Sequence, residues 1–188
     1  MKKILAIALF GVFGLVFSQS DTTIKYVPVI SKDTITTKAY LYTSALSRGK
    51  FNPMVLDKQF KIGERRQTVK IREKDVAYLE FTDKEMNKRV FQQVPELGVE
   101  GNLFEVMTKG KVTWYRDYFN YKMDAWDQTY SHADYFVKDK QIIKIPVKGK
   151  YKARLRELLA DKPELMVEID NLVNDFDILE ILQKYNRL

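Results

Sequence analysis

Gln141-Ile142-Ile143-Lys144-Ile145-Pro146-Val147, then Lys148-Gly149-Lys150, then Tyr151-Lys152-Ala153-Arg154-Leu155-Arg156-Glu157-Leu158-Leu159 is the stretch in which the chain changes its period. Up to Val147 the sequence reads mostly as strands. Beyond Gly149, Tyr151, Leu155, Leu158 and Leu159 recur at the spacing of one helix face. A sheet-forming body followed by a helical tail of about forty residues predicts an α+β fold. The expected architecture is a mainly antiparallel β-sheet, rolled or sandwich-like, with two or three C-terminal helices packed against it. The tail is too short for a confident separate core, so residues 19–188 are read as a single domain with a β-rich body over 19–148 and a helical segment over 149–188.

The strand readings rest on alternation and turn chemistry. In residues 33–42, Ile35, Ala39 and Leu41 share one face and Lys38 the other. In residues 68–72, Val69 and Ile71 point one way, Lys70 and Arg72 the other, the pattern of a half-buried strand. Residues 76–81 are apolar at five of six positions, which predicts a strand covered on both faces. Residues 103–107 and 112–121 form a hairpin across Lys109-Gly110, and residues 129–138 and 141–147 a second across Asp139-Lys140. Pro28, Pro53, Pro95 and Pro146 are expected at strand ends, edges or loops, because proline donates nothing to a ladder. In the tail, Asp161 is expected to cap a second helix with Pro163 in its first turn and Leu165, Met166, Ile169, Leu172 and Val173 on its face. Asp175 is expected to cap a third, presenting Ile178, Leu179, Leu182 and Tyr185.

The first twenty residues speak to location. Lys2 and Lys3 precede fourteen uncharged residues, 4–17, and then Ser18-Gln19-Ser20. That is the order of a secretory signal peptide, and fourteen falls short of the ~20 apolar residues of a spanning helix. The expectation is removal of residues 1–18 and a periplasmic or secreted protein with no transmembrane span. The chain has no cysteine, which closes the lipoprotein route, disulfides, zinc–thiolate sites and a cysteine nucleophile. Its hydrophobic content of 45% suits a mature chain that must be held by its core alone.

The second half resembles an uncharacterised family of small exported Bacteroidetes proteins. The resemblance is carried by Phe104-Glu105-Val106, Gly110-Lys111-Val112 with Tyr115-Arg116, Tyr135-Phe136-Val137-Lys138, Pro163-Glu164-Leu165 and Tyr185-Asn186. Lys32-Asp33-Thr34 stands where that family has a Gly-Asp-Thr turn, and Lys162 where it commonly has cysteine. The resemblance implies a β-rich body ending in a short helical segment, and an envelope or secreted location. It transfers no catalytic residue and no known activity.

Charge is unevenly placed. The formal charge of +7 becomes +5 without Lys2 and Lys3. Residues 58–74 carry seven basic side chains against Glu64 and Glu73, a local +5. Residues 138–156 carry eight against Asp139, and residues 157–180 carry eight acids against Lys162, so these two stretches nearly cancel. The uncancelled stretch is the expected anion-facing surface, with Arg65, Arg66, Lys70 and Arg72 as its site residues. Solvated charge is the competing reading. An envelope protein, a glycan or an anionic surface are the partners considered. Nucleic acid is excluded by export and by the lack of a recognisable binding motif.

No catalytic motif emerges. His132 is the only histidine. A metal set of Asp124, Asp127, His132 and Asp134 has the right donor chemistry but no recognised spacing, so no metal site is assigned. A Ser-His-Asp triad would need His132 as base, and no Gly-x-Ser-x-Gly elbow is present. No Gly-x-Gly-x-x-Gly occurs, and no cofactor is expected. The aromatic run Trp114, Tyr115, Tyr118, Phe119, Tyr121 and Trp126 suits glycan stacking, but alternation divides it between two faces, which favours core packing. The sequence therefore reads as a non-enzymatic exported binding protein. A hydrolase using paired carboxylates on an envelope or extracellular polymer is the alternative, although nothing selects a pair.

The exported protein is expected to begin at Gln19 or within two residues of it, as read by intact-mass measurement. A mature, membrane-bound chain retaining residues 1–17 would exclude this cleavage.

Overall fold

In the computed structural model of the chain, residues 21–41, 51–57, 59–64, 66–120, 130–146 and 150–188 are described. Residues 1–20, and with them the expected cleavage before Gln19, lie outside them. The described residues form one ten-stranded antiparallel sheet. Its strands are β1 (Asp21–Pro28), β2 (Ile35–Tyr40), β3 (Gln59–Ile62), β4 (Val69–Arg72), β5 (Val76–Thr82), β6 (Lys88–Gln92), β7 (Phe104–Thr108), β8 (Val112–Asn120), β9 (Tyr130–Lys138) and β10 (Gln141–Ile145). Three helices follow: α1 (Tyr151–Leu158), α2 (Met166–Asp170) and α3 (Asp175–Arg187). This is the α+β, antiparallel arrangement that the change of period predicts.

The spatial order is β10-β9-β8-β7-β6-β5-β1-β2-β3-β4. Two meanders, β1 to β4 and β5 to β10, are joined where β1 pairs with β5. Only the 3-10 turn Glu73–Asp75 links the edge strand β4 to β5. In a flat sheet those strands would lie four spacings apart, about 19 Å, while that link reaches at most about 14 Å. The first meander must therefore roll, and its core shows that it does. Ile24, Ala39, Phe60, Leu79 and Phe81, from four strands, share one cluster with Phe91 and Leu103.

The second meander stays open and is covered on one face by the helices. Val112 and Trp114 of β8, Phe136 of β9, and Ile143 and Ile145 of β10 pack against Leu155, Leu158, Ile169, Ile178 and Leu182. On the other face a smaller cluster gathers Val94, Phe104, Ala133 and Tyr135.

Several local expectations need correction. Val69 is 65% exposed, because β4 is an edge strand and only Ile71 reaches the rolled core. Asp161 caps no helix. It accepts from Lys138 Nζ at 2.6 Å and from the Tyr185 hydroxyl at 2.8 Å, so it serves helix-to-sheet docking. The second helix is a 3-10 turn, Pro163–Leu165, running into the single turn of α2, which leaves Val173 84% exposed. Asn174, one residue before the expected Asp175, caps α3. Its side chain accepts from the Phe176 and Asp177 backbone N–H groups, while Asp177 accepts from the Asn174 N–H, a reciprocal capping box.

The β9–β10 hairpin turns through Asp139 and Lys140 with φ of 48° and 69°. Two positive φ angles mark the I′ geometry that matches strand twist and favours glycine second. Left-handed backbone costs a side-chain-bearing residue ~1–2 kcal/mol, more than the ~0.5–1 kcal/mol of extra entropy that glycine loses. Lys140→Gly is expected to raise Tm by roughly 1–4 °C, measured by thermal unfolding. An unchanged or lower Tm would rule out strain at this turn.

Candidate functional site

The rolled meander turns alternate side chains outward. Because Phe60 and Ile71 face the core, Lys61 and Lys70 face out, and they are directly opposed across β3 and β4. The acids nearby are engaged elsewhere. Glu64 lies 3.6 Å from Lys38, Asp75 is held by both Nε and Nη2 of Arg72 at 2.7 and 3.0 Å, and Glu73 accepts the Leu103 N–H at 2.7 Å. Lys61, Arg66 and Lys70 make no ion pair among the described residues. Of the four site residues expected from sequence, Arg66 and Lys70 are exposed, Arg72 is answered by Asp75, and Arg65 lies outside the described residues. Lys61 was missed. Its signal was the alternation of β3, but the opposition to Lys70 depends on the register of the hairpin.

A second feature is buried. One cross-strand row runs Tyr26, Leu79, Phe91, Glu105, Arg116, Asp134, Ile145 through seven strands. Its ends lie in the two apolar cores, and its middle is acid, arginine, acid. Arg116 grips Asp134 with Nε and Nη2 at 2.8 and 3.0 Å, and donates Nη1 to Asp175 at 2.6 Å. The Tyr151 hydroxyl donates to Asp134 at 2.5 Å, and the guanidinium lies 5.0 Å from the Trp114 ring centroid. Glu105 accepts from Arg89 Nη1 at 2.8 Å and from the Tyr118 hydroxyl at 2.5 Å, while Arg89 Nε reaches Asp83 at 2.9 Å. Burial acts to lower the Arg116 pKa, but the hydrogen bonds and charges of Asp134 and Asp175 outweigh it and raise it. Burial pushes the Tyr118 and Tyr151 hydroxyls up, and the neighbouring carboxylates add to that. The sequence signal for this row was charge inside otherwise apolar strands, as in Phe104-Glu105-Val106.

Third, a cavity of about 270 Å³ opens between the 3-10 turn Pro53–Val55, Glu73, Asn102-Leu103 and the end of β8. Phe91, Tyr118 and Phe119 bring three rings to it, and Asp57, Glu73 and Asn102 its polar groups. Tyr118 joins the cavity wall to the buried row through Glu105.

His132 lies on β9 with Nε2 3.7 Å from Asp134, and Asp134 is already engaged by Arg116 and Tyr151. Asp124 and Asp127 lie outside the described residues, among which no three His, Cys, Asp or Glu side chains are grouped to hold a metal ion. The aromatic run is divided as alternation requires. Trp114 is buried and stacked on Phe136 at 5.6 Å, Tyr115 and Phe119 pack on the opposite face, and Tyr121 and Trp126 lie outside the described residues. No helix among the described residues is long and apolar enough to cross a membrane. No family model, no curated protein and no solved structure matches this chain.

Stability should fall on acidification in two stages. Burial, with the Arg116 charge, lowers the His132 pKa, against the pull of Asp134 and Asp175. The folded state thus favours neutral imidazole, and its contribution is present above the unfolded value of ~6.5 and lost as pH falls through the lowered one. For Asp83 and Asp175, burial acts upward, but hydrogen bonds from the Asn87 backbone and Arg89, and from Arg116, win and lower the pKa. Their contributions are present above ~3.9 and lost below. Tm measured from pH 7 to 5 is expected to decline in the wild type and to stay flat in His132→Gln, since no other histidine titrates there. Identical profiles would remove His132 from the account.

Proposed function

We propose that this chain is an exported, non-enzymatic envelope or secreted protein that meets an anionic surface through the outer face of its rolled meander. The opposition of Lys61 and Lys70 carries this reading. Like charges directly across a strand pair are destabilising, and the acids at hand are engaged elsewhere. An anion laid over β3 and β4 relieves that repulsion, and Arg66 in the adjoining turn adds a third positive charge. The order of the first twenty residues and the resemblance to exported Bacteroidetes proteins support the location. The carboxylate-hydrolase alternative gains no support from the buried acids: Asp83, Glu105 and Asp134 each face an arginine, whereas that chemistry needs one carboxyl held protonated opposite an ionised one.

The mature protein is expected to co-sediment with phosphatidylglycerol vesicles and not with phosphatidylcholine vesicles. Binding should weaken between low salt and physiological ionic strength, where the Debye length is ~8 Å. Lys61→Gln with Lys70→Gln should remove most of the binding, and Arg72→Gln little of it. Equal binding to both vesicle types, or an unaffected double variant, would reject the proposal.

A further inference from the structure

The turn between β1 and β2 carries apolar side chains that the fold leaves bare. Ile30 is 98% exposed, Val29 53% and Ile35 39%, all within residues 29–35. A single exposed apolar residue is ordinary on a protein surface, whereas a group of them marks a contact. The local sequence keeps them out of the core. Pro28 is the last residue of β1, at a shift in register against β5, and the chain leaves the ladder after it. The turn is nonetheless held in place. The Val29 N–H donates to the Asp75 carbonyl at 2.9 Å. The Ser31 hydroxyl donates to the Asp33 carboxylate at 3.0 Å and accepts the Asp33 N–H at 3.2 Å. Little ordering is therefore left for the moment of contact. Lys32 within the turn and Lys74 beside Asp75 are exposed. Arg72 answers Asp75, which leaves two lysines against the one carboxylate of Asp33.

We propose that this turn is a membrane-inserting tip. Val29 and Ile30 enter the boundary between headgroups and acyl chains of an anionic lipid bilayer, about 5–10 Å deep, and Lys32 and Lys74 stay at the phosphates. The proposal rests on the anionic-surface reading above and names that surface as lipid. A knob left bare on every side needs an occupant that closes round it. A bilayer does so without a matching pocket, whereas an acidic glycan offers the knob no apolar surround. Stable attachment to a membrane takes two signals. Here β2 runs from the apolar turn to β3, where its Tyr40 lies opposite Lys61, so one strand joins the inserting tip to the basic face.

The chain has no cysteine, so Ile30→Cys gives the mature protein one attachment point for an environment-sensitive fluorophore. With phosphatidylglycerol vesicles its emission is expected to rise about twofold or more and to shift to the blue, and with phosphatidylcholine vesicles to stay unchanged. The same label on Val173→Cys, 84% exposed in the acidic tail, should not respond. In co-sedimentation, Val29→Ser with Ile30→Asp should weaken binding to phosphatidylglycerol vesicles about tenfold or more, the factor that burial of one aliphatic side chain supplies. The same variant should keep its Tm and its binding to polyglutamate, a soluble polyanion with no apolar phase. Lys61→Gln with Lys70→Gln should weaken both. An Ile30 label that stays silent, or responds equally to both vesicle types or at both positions, would overturn the tip. So would a tip variant that binds vesicles as the wild type does, or a wild type that binds polyglutamate but no vesicle. In each of these cases the basic face is judged by Lys61 and Lys70 alone. A wild type that binds neither probe would overturn both readings.

Discussion

The alternation Glu105, Arg116, Asp134 across β7, β8 and β9 is the constraint on which the rest of the structure depends. Arg116 is nearly sealed from solvent, and Asp134 is completely so. Removing a charge from water is costly, and a buried pair recovers that cost only with good geometry and every donor used. Here the fork is bidentate on Asp134, its third nitrogen goes to Asp175, and the guanidinium rests over Trp114. Such a pair adds little net stability compared with apolar residues of similar volume, but loss of one partner leaves an unanswered buried charge. Its physical effect is on register. A one-residue slip of β8 would carry Arg116 to the opposite face and strand both carboxylates.

The same row explains how one sheet serves two cores. Its apolar ends belong to the rolled meander and to the helix-covered face, and the polar middle separates them. Asp175 and Tyr151 bring α3 and α1 to that middle, so the helices dock by hydrogen bonds as well as by burial. A second clasp lies at the far end of the tail. Asn186 accepts the Val112 N–H at 2.8 Å and donates to the Val112 carbonyl at 3.0 Å, in the manner of a neighbouring strand. Gly110 permits this, since a Cβ there would clash with the Asn186 side chain. Lys138 and Tyr185 converge on Asp161 nearby. Gly110, Val112, Lys138, Tyr185 and Asn186 thus meet one another where the helices join the sheet, which is a structural role.

The basic and acidic stretches of the second half also find each other. Lys138 pairs with Asp161 and Arg156 with Asp170, and from outside the basic stretch Lys184 pairs with Glu168 and Arg116 with Asp175. Most of these pairs are exposed and contribute ~0–1 kcal/mol each. The first half behaves differently. Lys61 on β3 and Lys70 on β4 face one another rather than acids, because pairing in an edge hairpin is set by the turn and not by charge. The cavity follows from the other consequence of rolling, the gap left where the rolled meander meets the open one.

How much of this was legible follows from range. The two hairpins after Leu103, the helical tail and its buried face at Leu158, Ile169 and Leu182 were readable, because alternation, turn residues and helical spacing are local. The capping of α3 was misplaced by one residue, because Asp175 and Asn174 are equally good caps in isolation and only Arg116, fifty-nine residues away in sequence, claims the aspartate. Asp161 was misread for the same reason. Of the candidate sites, the basic stretch was visible as composition, but which lysines oppose each other was not. The cavity gave no signal, since Asp57, Asn102 and Phe119 are distant in sequence. By itself the sequence determined which segments are strands and helices and which faces are apolar, because those depend on neighbours a few residues apart. Only the tertiary structure decided that β1 joins β5, that the first meander rolls, and which charges are answered, because a three-residue link and a cross-strand register act between residues that the sequence keeps far apart.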